Sequence, residues 1–429
     1  MNNLKRPIID PKKFILPPYI TCPICKKCNS FGVLMIGGQR YTRRCRECWF
    51  TESYKLPELN KKIIYLDQFA ISDMMKAVND KIGKKDKVDQ FYFTLFEKLE
   101  YLSSAQLIVC PDSSFHRSES LLSDYSALKQ MYEHFSGGGT FYDPATLHRF
   151  QIIEKYRAFL GNKKFIFDKE ATGISSDYIH GWRPELMVSV DFKTTKKELK
   201  EMRESKLKIH QAIADVFNRW KTEKDKTIKD WFKEEGLAFG IVTINQFKDL
   251  LIKQSMYAIG QPTTIDEIVK LAISESNTLI TSMINYIKSG TQEEKIKKVV
   301  SFLVSDEMLE IPFNKISALL WASIAHASAH GGQKTPPNQG TVNDIEMIST
   351  LLPYCDAILV DNAMFALLNN GEVKKEIFKY GTKIFSKNNK QEFFDYLDEV
   401  KKNANDDHFK KVTEIYGDNW GQPCWKMYH

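Results

Sequence analysis

Two groups of side chains in this 429-residue sequence can bind metal ions, and they differ in kind and placement. Five of the eight cysteines lie between Cys22 and Cys48, whereas the second group consists of carboxylates spread over most of the chain. Thiolates are typical zinc ligands, and carboxylate oxygens are the ligands that hard cations such as Mg²⁺ and Mn²⁺ prefer. The sequence therefore suggests two separate metal centres with different chemistry.

The cysteine group has the spacing of a zinc site. Two C-x₂-C pairs, Cys22/Cys25 and Cys45/Cys48, are separated by nineteen residues, and two such knuckles can place four thiolates around one tetrahedral ion. Cys28 forms the same spacing with Cys25, but Pro23 favours the knuckle that begins at Cys22. The pattern resembles a zinc ribbon, predicted over residues 1–60, and its four thiolates leave no open position for catalysis. The alternative is a set of reduced cysteines without metal.

The positive charge of the chain is concentrated in the same region. The net charge is +7, and residues 1–60 hold 11 Lys/Arg against 4 Asp/Glu, so the rest of the chain is balanced. A local basic excess favours a polyanionic partner such as nucleic acid. The predicted nucleic-acid contacts are four arginines around the second knuckle and one lysine in a later Gly/Pro-rich loop: Arg40, Arg43, Arg44, Arg46 and Lys334. The alternative is that the ribbon only caps the next domain.

Two of the carboxylates directly follow short apolar runs. Asp67 comes after Ile63–Leu66, and Asp361 comes after Ala357–Val360. Such runs are typical of buried strands, and the carboxyl ends of strands are where open α/β sheets bind ligands. Glu119 is predicted on the second turn of a helix capped by Asp112 or Ser113, and Asp344 is predicted to open a helix that ends before Pro353.

Strands and helices alternate around these acids. Further strands are predicted at 106–110 and 383–385, with helices at 69–78, 87–102, 312–330 and 391–403. This alternation predicts an α/β fold with a central parallel sheet. The intervening residues look mostly helical, with long patterns at 196–220 and 265–288 and another helix near 246–252.

The order of the acids resembles that of the PIN-domain family of metal-dependent nucleases. By that resemblance, Asp67, Glu119, Asp344 and Asp361 match the family's acidic positions and would bind catalytic Mg²⁺ or Mn²⁺. The resemblance implies a PIN-like three-layer domain formed by residues 61–136 and 312–429, interrupted by a helical insertion at 137–311. It also implies hydrolysis of phosphodiester bonds, with RNA as the expected substrate.

Other interpretations use the same residues. Asp67, Asp344 and Asp361 each stand where a helix N-cap is expected, and Glu119 could be a solvated surface residue. A catalytically inactive nucleic-acid-binding or scaffold protein is the main alternative to a nuclease. A phosphoesterase acting on a nucleotide or another small molecule would need the same four acids.

The remaining expectations concern partners and location. The N-terminus lacks the apolar core of a secretory signal, and no apolar run is long enough for a membrane helix, so a cytoplasmic protein without a membrane partner is expected. A nuclease free to act on cellular RNA would be toxic and needs control, which would suit a toxin or an antiviral defence effector. The helical insertion is the expected surface for a homo-oligomer or a regulatory partner.

Overall fold

The computed structural model describes residues 10–37, 39–82, 89–120, 125–169, 179–184 and 196–422. These residues form two four-stranded sheets, one antiparallel and one parallel, together with sixteen α-helices. The predicted α/β class with a central parallel sheet is confirmed. No described helix is both long enough and apolar enough to cross a membrane.

The antiparallel sheet belongs to the N-terminal ribbon. Its strands are β1 (Leu16–Ile20), β2 (Phe31–Gly37), β3 (Arg40–Cys45) and β4 (Thr51–Lys55), hydrogen-bonded in that order. The β2–β3 hairpin pairs Gly37 with Arg40 and Phe31 with Cys45. Strand β3 therefore begins at the hairpin turn and delivers Cys45 to the end of the sheet where the knuckles lie.

The parallel sheet has four short strands in the order β6-β5-β7-β8: β5 (Lys62–Leu66), β6 (Ile108–Val109), β7 (Ala357–Leu359) and β8 (Lys383–Phe385). Every neighbouring pair is parallel. The chain leaves β5 for β6 on one side and later returns to β7 on the other side. The carboxyl ends of β5 and β7 therefore flank a topological switch point, where open parallel sheets form their ligand crevice.

The first part and the insertion contribute ten of the described helices. They are α1 (Gln68–Ile82), α2 (Gln90–Ser104), α3 (Ser114–Ser120), α4 (Tyr125–Ser136), α5 (Pro144–Leu160), α6 (Lys196–Thr222), α7 (Ile228–Ala258), α8 (Ile265–Ala272), α9 (Glu275–Tyr286) and α10 (Gln292–Leu303). Of these, α1, α2, α3 and α6 lie where helices were predicted. Two predictions were wrong in detail. The pattern at 265–288 is two helices, because Ser274 caps a new helix through the amide of Asn277, and residues 246–252 lie inside the longer helix α7.

The second part of the parallel-sheet domain contributes the last six helices. They are α11 (Pro312–Ala329), α12 (Gln339–Leu351), α13 (Asn362–Leu368), α14 (Gly371–Phe378), α15 (Lys390–Lys402) and α16 (Asp406–Tyr416). Helix α12 begins five residues earlier than predicted. Its N-cap is Asn338, whose side chain accepts a hydrogen bond from the amide of Thr341.

The two faces of the parallel sheet support two different hydrophobic cores. Alternate residues of β5 point to opposite faces, so Ile63 and Tyr65 join one cluster while Ile64 and Leu66 join the other. The first cluster also contains side chains from the helical insertion: Phe217, Trp220 and Trp231. One part of the insertion therefore shares a core with the sheet, while other parts of it form a separate hydrophobic cluster.

Helix α7 approaches its neighbours very closely. A Cβ atom at Gly240 would lie 1.9 Å from the backbone oxygen of Leu303, and one at Gly236 would lie 2.2 Å from Cδ2 of Leu309. A glycine in a helix interior normally costs stability relative to alanine. Here the absence of a side chain allows the long helix to pack against the end of α10 and the segment after it.

Candidate metal centres

The four predicted cysteines form a compact cluster. The ligand atoms of Cys22, Cys25, Cys45 and Cys48 all lie within 4.8 Å of one another, with Sγ–Sγ distances of 3.6 Å between Cys22 and Cys48 and 3.7 Å between Cys25 and Cys45. A tetrahedral zinc with Zn–S bonds of about 2.3 Å places its sulfurs about 3.8 Å apart. The thiol set and its spacing therefore fit zinc. The cluster excludes Cys28, as the sequence predicted.

The geometry of the second knuckle favours the thiolate form of Cys45, whereas the pKa of Cys48 is raised to about 11. The backbone amides of Glu47 and Cys48 donate hydrogen bonds to Cys45 Sγ at 3.4 and 3.5 Å, and the hydroxyl oxygen of Ser30 lies 3.4 Å from the same sulfur. Burial alone would raise the pKa of Cys45, but these hydrogen bonds outweigh it and lower that pKa to about 6. The thiolate is the form that binds metal.

The arginines near the second knuckle have different environments. Arg43 is only 2% exposed and donates to three backbone oxygens, those of Pro18 at 2.7 Å, Phe31 at 3.2 Å and Glu414 at 2.8 Å. The prediction that Arg43 contacts nucleic acid is therefore corrected, because its guanidinium joins the ribbon to helix α16. Its three companions and the loop lysine keep solvent contact: Arg40 and Lys334 are exposed, and Arg44 and Arg46 are half-buried.

The four predicted acids come from four different elements around the switch point of the parallel sheet. Asp67 follows β5, and its backbone amide donates a hydrogen bond to the carbonyl oxygen of Leu359 in β7 at 3.1 Å. Asp361 follows β7 and caps α13, since its carboxylate accepts a hydrogen bond from the amide of Met364 at 2.7 Å. Glu119 lies on α3, which begins just beyond the end of β6. The fourth acid, Asp344, lies on α12.

The position of Asp344 excludes one interpretation of this residue, that of a helix cap. The residue was predicted to open its helix, where a carboxylate is a common N-cap. In the structure Asn338 takes the cap position, and Asp344 is the sixth residue of α12. The expected helix start was wrong, and capping no longer accounts for Asp344.

Burial and the charges of the other acids raise the pKa of two of the four carboxyl groups. Burial is the main reason that the pKa of Asp67 is raised well above its ordinary value, and the charges of Asp344, Glu119 and Asp361 raise it further. Burial likewise raises the pKa of Asp344 to about 7, with contributions from Glu119 and Asp361. Clustered carboxylates that disfavour one another's ionisation are relieved by a bound cation.

The acids nevertheless remain further apart than the cysteines. Among the described residues, the cysteine cluster is the only group of three or more His, Cys, Asp or Glu side chains whose ligand atoms all lie within 4.8 Å of one another. No three of the four carboxylates therefore form a ligand set as compact as that of the cysteines. A hard cation that keeps several water ligands needs few direct carboxylate contacts.

His116 is a further residue at this site, and the sequence did not single it out. Its ring is 3% exposed, stacks between Tyr65 and Tyr132 at centroid distances of 4.8 and 4.4 Å, and places Nε2 2.8 Å from the carbonyl oxygen of Leu66. Because that oxygen can only accept, Nε2 carries a hydrogen and donates it. His116 thereby joins the helix of Glu119 to the residue before Asp67.

Two other acids near the sheet are occupied by structural contacts. Asp112 accepts hydrogen bonds from Arg117 Nε at 3.1 Å and from the Ser113 amide at 2.7 Å, and its Oδ1 lies 3.3 Å from His116 Nδ1. Although burial opposes it, these contacts lower the pKa of Asp112. Asp356 lies at the opposite edge of the sheet, where its carboxylate accepts a hydrogen bond from the Ile63 amide at 2.9 Å.

Comparisons with known proteins add no assignment. No family model, curated protein or solved structure matches this chain. The resemblance to PIN-domain nucleases therefore depends on the order and placement of the four acids alone.

Proposed function

We propose that the protein is a Mg²⁺- or Mn²⁺-dependent nuclease, with RNA as its substrate, that carries a structural zinc ribbon. The observation that carries the proposal is the placement of Asp67 and Asp361 beyond the ends of adjacent parallel strands at the switch point, where the charges of Asp344 and Glu119 also raise the pKa of Asp67. The preference for RNA comes from the resemblance to PIN-domain nucleases. Control by a partner or stimulus, as in a toxin or antiviral defence effector, belongs to the same proposal.

The donor set fits hard cations. When bound, one or two such ions would neutralise charge on the scissile phosphate, lower the pKa of an attacking water and stabilise the leaving oxygen. Asp67 and Asp361, at the ends of adjacent strands, would hold the cations from the sheet, while Glu119 and Asp344 would hold them from the helices. His116 would act as a positioning residue, because its hydrogen bond to Leu66 fixes α3 relative to the end of β5.

The neighbouring sequence offers a contact for the substrate backbone. Lys334 is exposed in the segment between α11 and α12, four residues before the cap of the helix that carries Asp344. We propose that its ammonium group binds a phosphate of the nucleic acid next to the acidic cluster. A lysine contacting phosphate contributes affinity without reading sequence.

The test is cleavage of a fluorescently labelled RNA by purified full-length protein with Mn²⁺. Asp67→Asn and Asp344→Asn should each abolish cleavage while leaving the unfolding transition cooperative. Asp73→Asn is the control, because Asp73 lies on α1 six residues after Asp67 but pairs with Lys76 at 2.8 Å, and we expect it to retain activity. Cleavage that persists in Asp67→Asn or Asp344→Asn would remove that residue from the proposed site.

The spacing of the carboxylates favours one alternative, a catalytically inactive nucleic-acid-binding or scaffold protein. In that case the acids would bind cations too weakly for catalysis. Thermal unfolding with and without Mn²⁺ separates the two functions, since a ligand that binds the folded state raises the melting temperature. A rise at millimolar Mn²⁺ supports the nuclease, and an unchanged melting temperature supports the inactive protein.

A further inference from the structure

The second zinc knuckle presents an exposed tryptophan in an unusual backbone conformation. Trp49 directly follows Cys48, keeps 38% of its surface exposed, and has a φ of 62°. That left-handed conformation favours glycine and is uncommon for other residues. Lys26 occupies the equivalent position after Cys25 in the first knuckle, with a φ of 61°. Both knuckles therefore end in a left-handed residue, and one of the two carries a large aromatic ring.

Arginines accompany the aromatic rings on this side of the ribbon. The guanidinium carbon of Arg44 lies 4.7 Å from the centroid of the Trp49 ring, and that of Arg46 lies 5.3 Å from the centroid of Tyr19. A guanidinium stacked on a ring keeps in-plane donors that can bind phosphate. The structure thus pairs two cations with two rings, whereas Arg43 on the same strand is buried in the contact with α16.

The charge of the ribbon fits an anionic partner. Residues 10–60 contain nine Lys/Arg and four Asp/Glu, an excess of five positive charges. A zinc ion held by four thiolates would contribute two negative charges, so an excess of three remains when the metal is counted. Two other partners fit this surface less well. An apolar protein surface would leave these cations without a charged partner, and a nucleic-acid duplex stacks its bases on one another, so their faces are not accessible to Trp49.

We propose that the zinc knuckles bind single-stranded nucleic acid, with Trp49 stacking on a base and Arg44 and Arg46 contacting phosphates beside it. Stacking of bases on aromatic side chains combined with a basic surface is how proteins bind single strands with little sequence preference. The inference rests on the proposed function for its class of ligand, nucleic acid. It does not require the carboxylate cluster to be catalytic.

The test measures binding rather than cleavage. Full-length protein carrying Asp67→Asn is titrated, without Mg²⁺ or Mn²⁺, against a fluorescein-labelled 15-nucleotide uridine RNA and against a duplex of the same length. Trp49→Gly removes the ring at a position where glycine suits the backbone. Lys26→Gly is the matched control, because it makes the same change at the equivalent position of the other knuckle. Zinc content is measured for each variant to verify that the ribbon is intact.

We expect Trp49→Gly to weaken single-strand binding by about tenfold, in the range for loss of one stacked base, and Lys26→Gly to weaken it by less than about threefold. Arg44→Gln should reduce the slope of log affinity against log salt by about 0.7, as expected for one lost phosphate contact on a single strand. Equal affinities for the two glycine variants, or tighter binding of the duplex, would overturn the inference.

The outcomes also separate this inference from the proposed function. If the protein binds the single strand through Trp49 but does not cleave RNA, the inference about the ribbon stands and the proposed nuclease function is wrong. If the protein cleaves RNA but Trp49→Gly binds the single strand as tightly as the parent, the proposed nuclease function stands and the inference about the ribbon is wrong. A third outcome is that polyglutamate is bound as tightly as RNA, with no effect of Trp49→Gly. That result would overturn the inference, because it would show that the surface binds any polyanion through charge alone.

Discussion

Replacing Asp344 with asparagine should stabilise the protein when no Mg²⁺ or Mn²⁺ is present. Asp344 is half-buried among other carboxylates, and burial together with Glu119 and Asp361 raises its pKa from 3.8 to about 7. At pH 8 the folded protein must hold this carboxylate ionised in an unfavourable environment. Asparagine has nearly the same shape and carries no charge, so the substitution removes that cost.

The sign and size follow from the two pKa values. A carboxyl group with a raised pKa binds its proton more tightly in the folded state, so its contribution to stability is fully present below about pH 4 and is lost as the pH rises through about 7. The full shift corresponds to a cost of about 4 kcal/mol at pH 8 and about 2 kcal/mol at pH 5. Because the side chain retains some solvent contact, we expect Asp344→Asn to gain about 2 kcal/mol at pH 8 and less at pH 5.

The assay is urea denaturation at both pH values in buffer free of Mg²⁺ and Mn²⁺, with thiolate-bound zinc retained. Asp73→Asn serves as the control and should gain nothing, since Asp73 is paired with Lys76. Adding Mn²⁺ should stabilise the parent protein and reduce the advantage of Asp344→Asn, because only the parent keeps the full ligand set. A variant that is equally stable or less stable than the parent at pH 8 would refute the reasoning.

Three further predictions concern the scaffold. In urea denaturation, Gly240→Ala should destabilise the protein by about 2 kcal/mol or more despite the better helix propensity of alanine, because its Cβ would meet a backbone oxygen. Gly236→Ala should destabilise it less, since its Cβ would meet a side-chain methyl group that can move. Cys25→Ser should lower the zinc content measured by mass spectrometry, whereas Cys28→Ser should leave it unchanged, because only Cys25 lies in the thiolate cluster. Arg43→Ala should lower stability by about 2–3 kcal/mol, since three backbone oxygens would lose a charged donor, and an unchanged urea midpoint would contradict this role.

Local sequence patterns were sufficient to predict the parallel sheet. The apolar runs before Asp67 and Asp361 correspond to strands β5 and β7, because a strand buried on both faces needs a nearly continuous apolar sequence. The short strand β8 also lies where it was predicted, at Lys383–Phe385. The cysteine spacing predicted which four thiolates would cluster, since two tight knuckles leave few ways to surround one ion.

The features that could not be predicted depend on contacts between distant segments. Arg43 has the same local sequence context as its arginine neighbours, and its burial depends on helix α16, more than 350 residues later. His116 sits in an ordinary helical sequence, and its position depends on two tyrosines and on the carbonyl of Leu66. The start of α12 was misplaced because Asn338 and Asp344 are both good caps, and only packing selects between them.

The central claim is that Asp67, Glu119, Asp344 and Asp361 jointly hold a hard divalent cation. The most direct measurement is anomalous X-ray scattering from crystals of the full-length protein soaked in Mn²⁺. We expect a manganese peak between the carboxylates at the ends of β5 and β7, and we expect it to be absent from crystals of Asp344→Asn. No peak at this position, in crystals that bind zinc at the four cysteines, would contradict it.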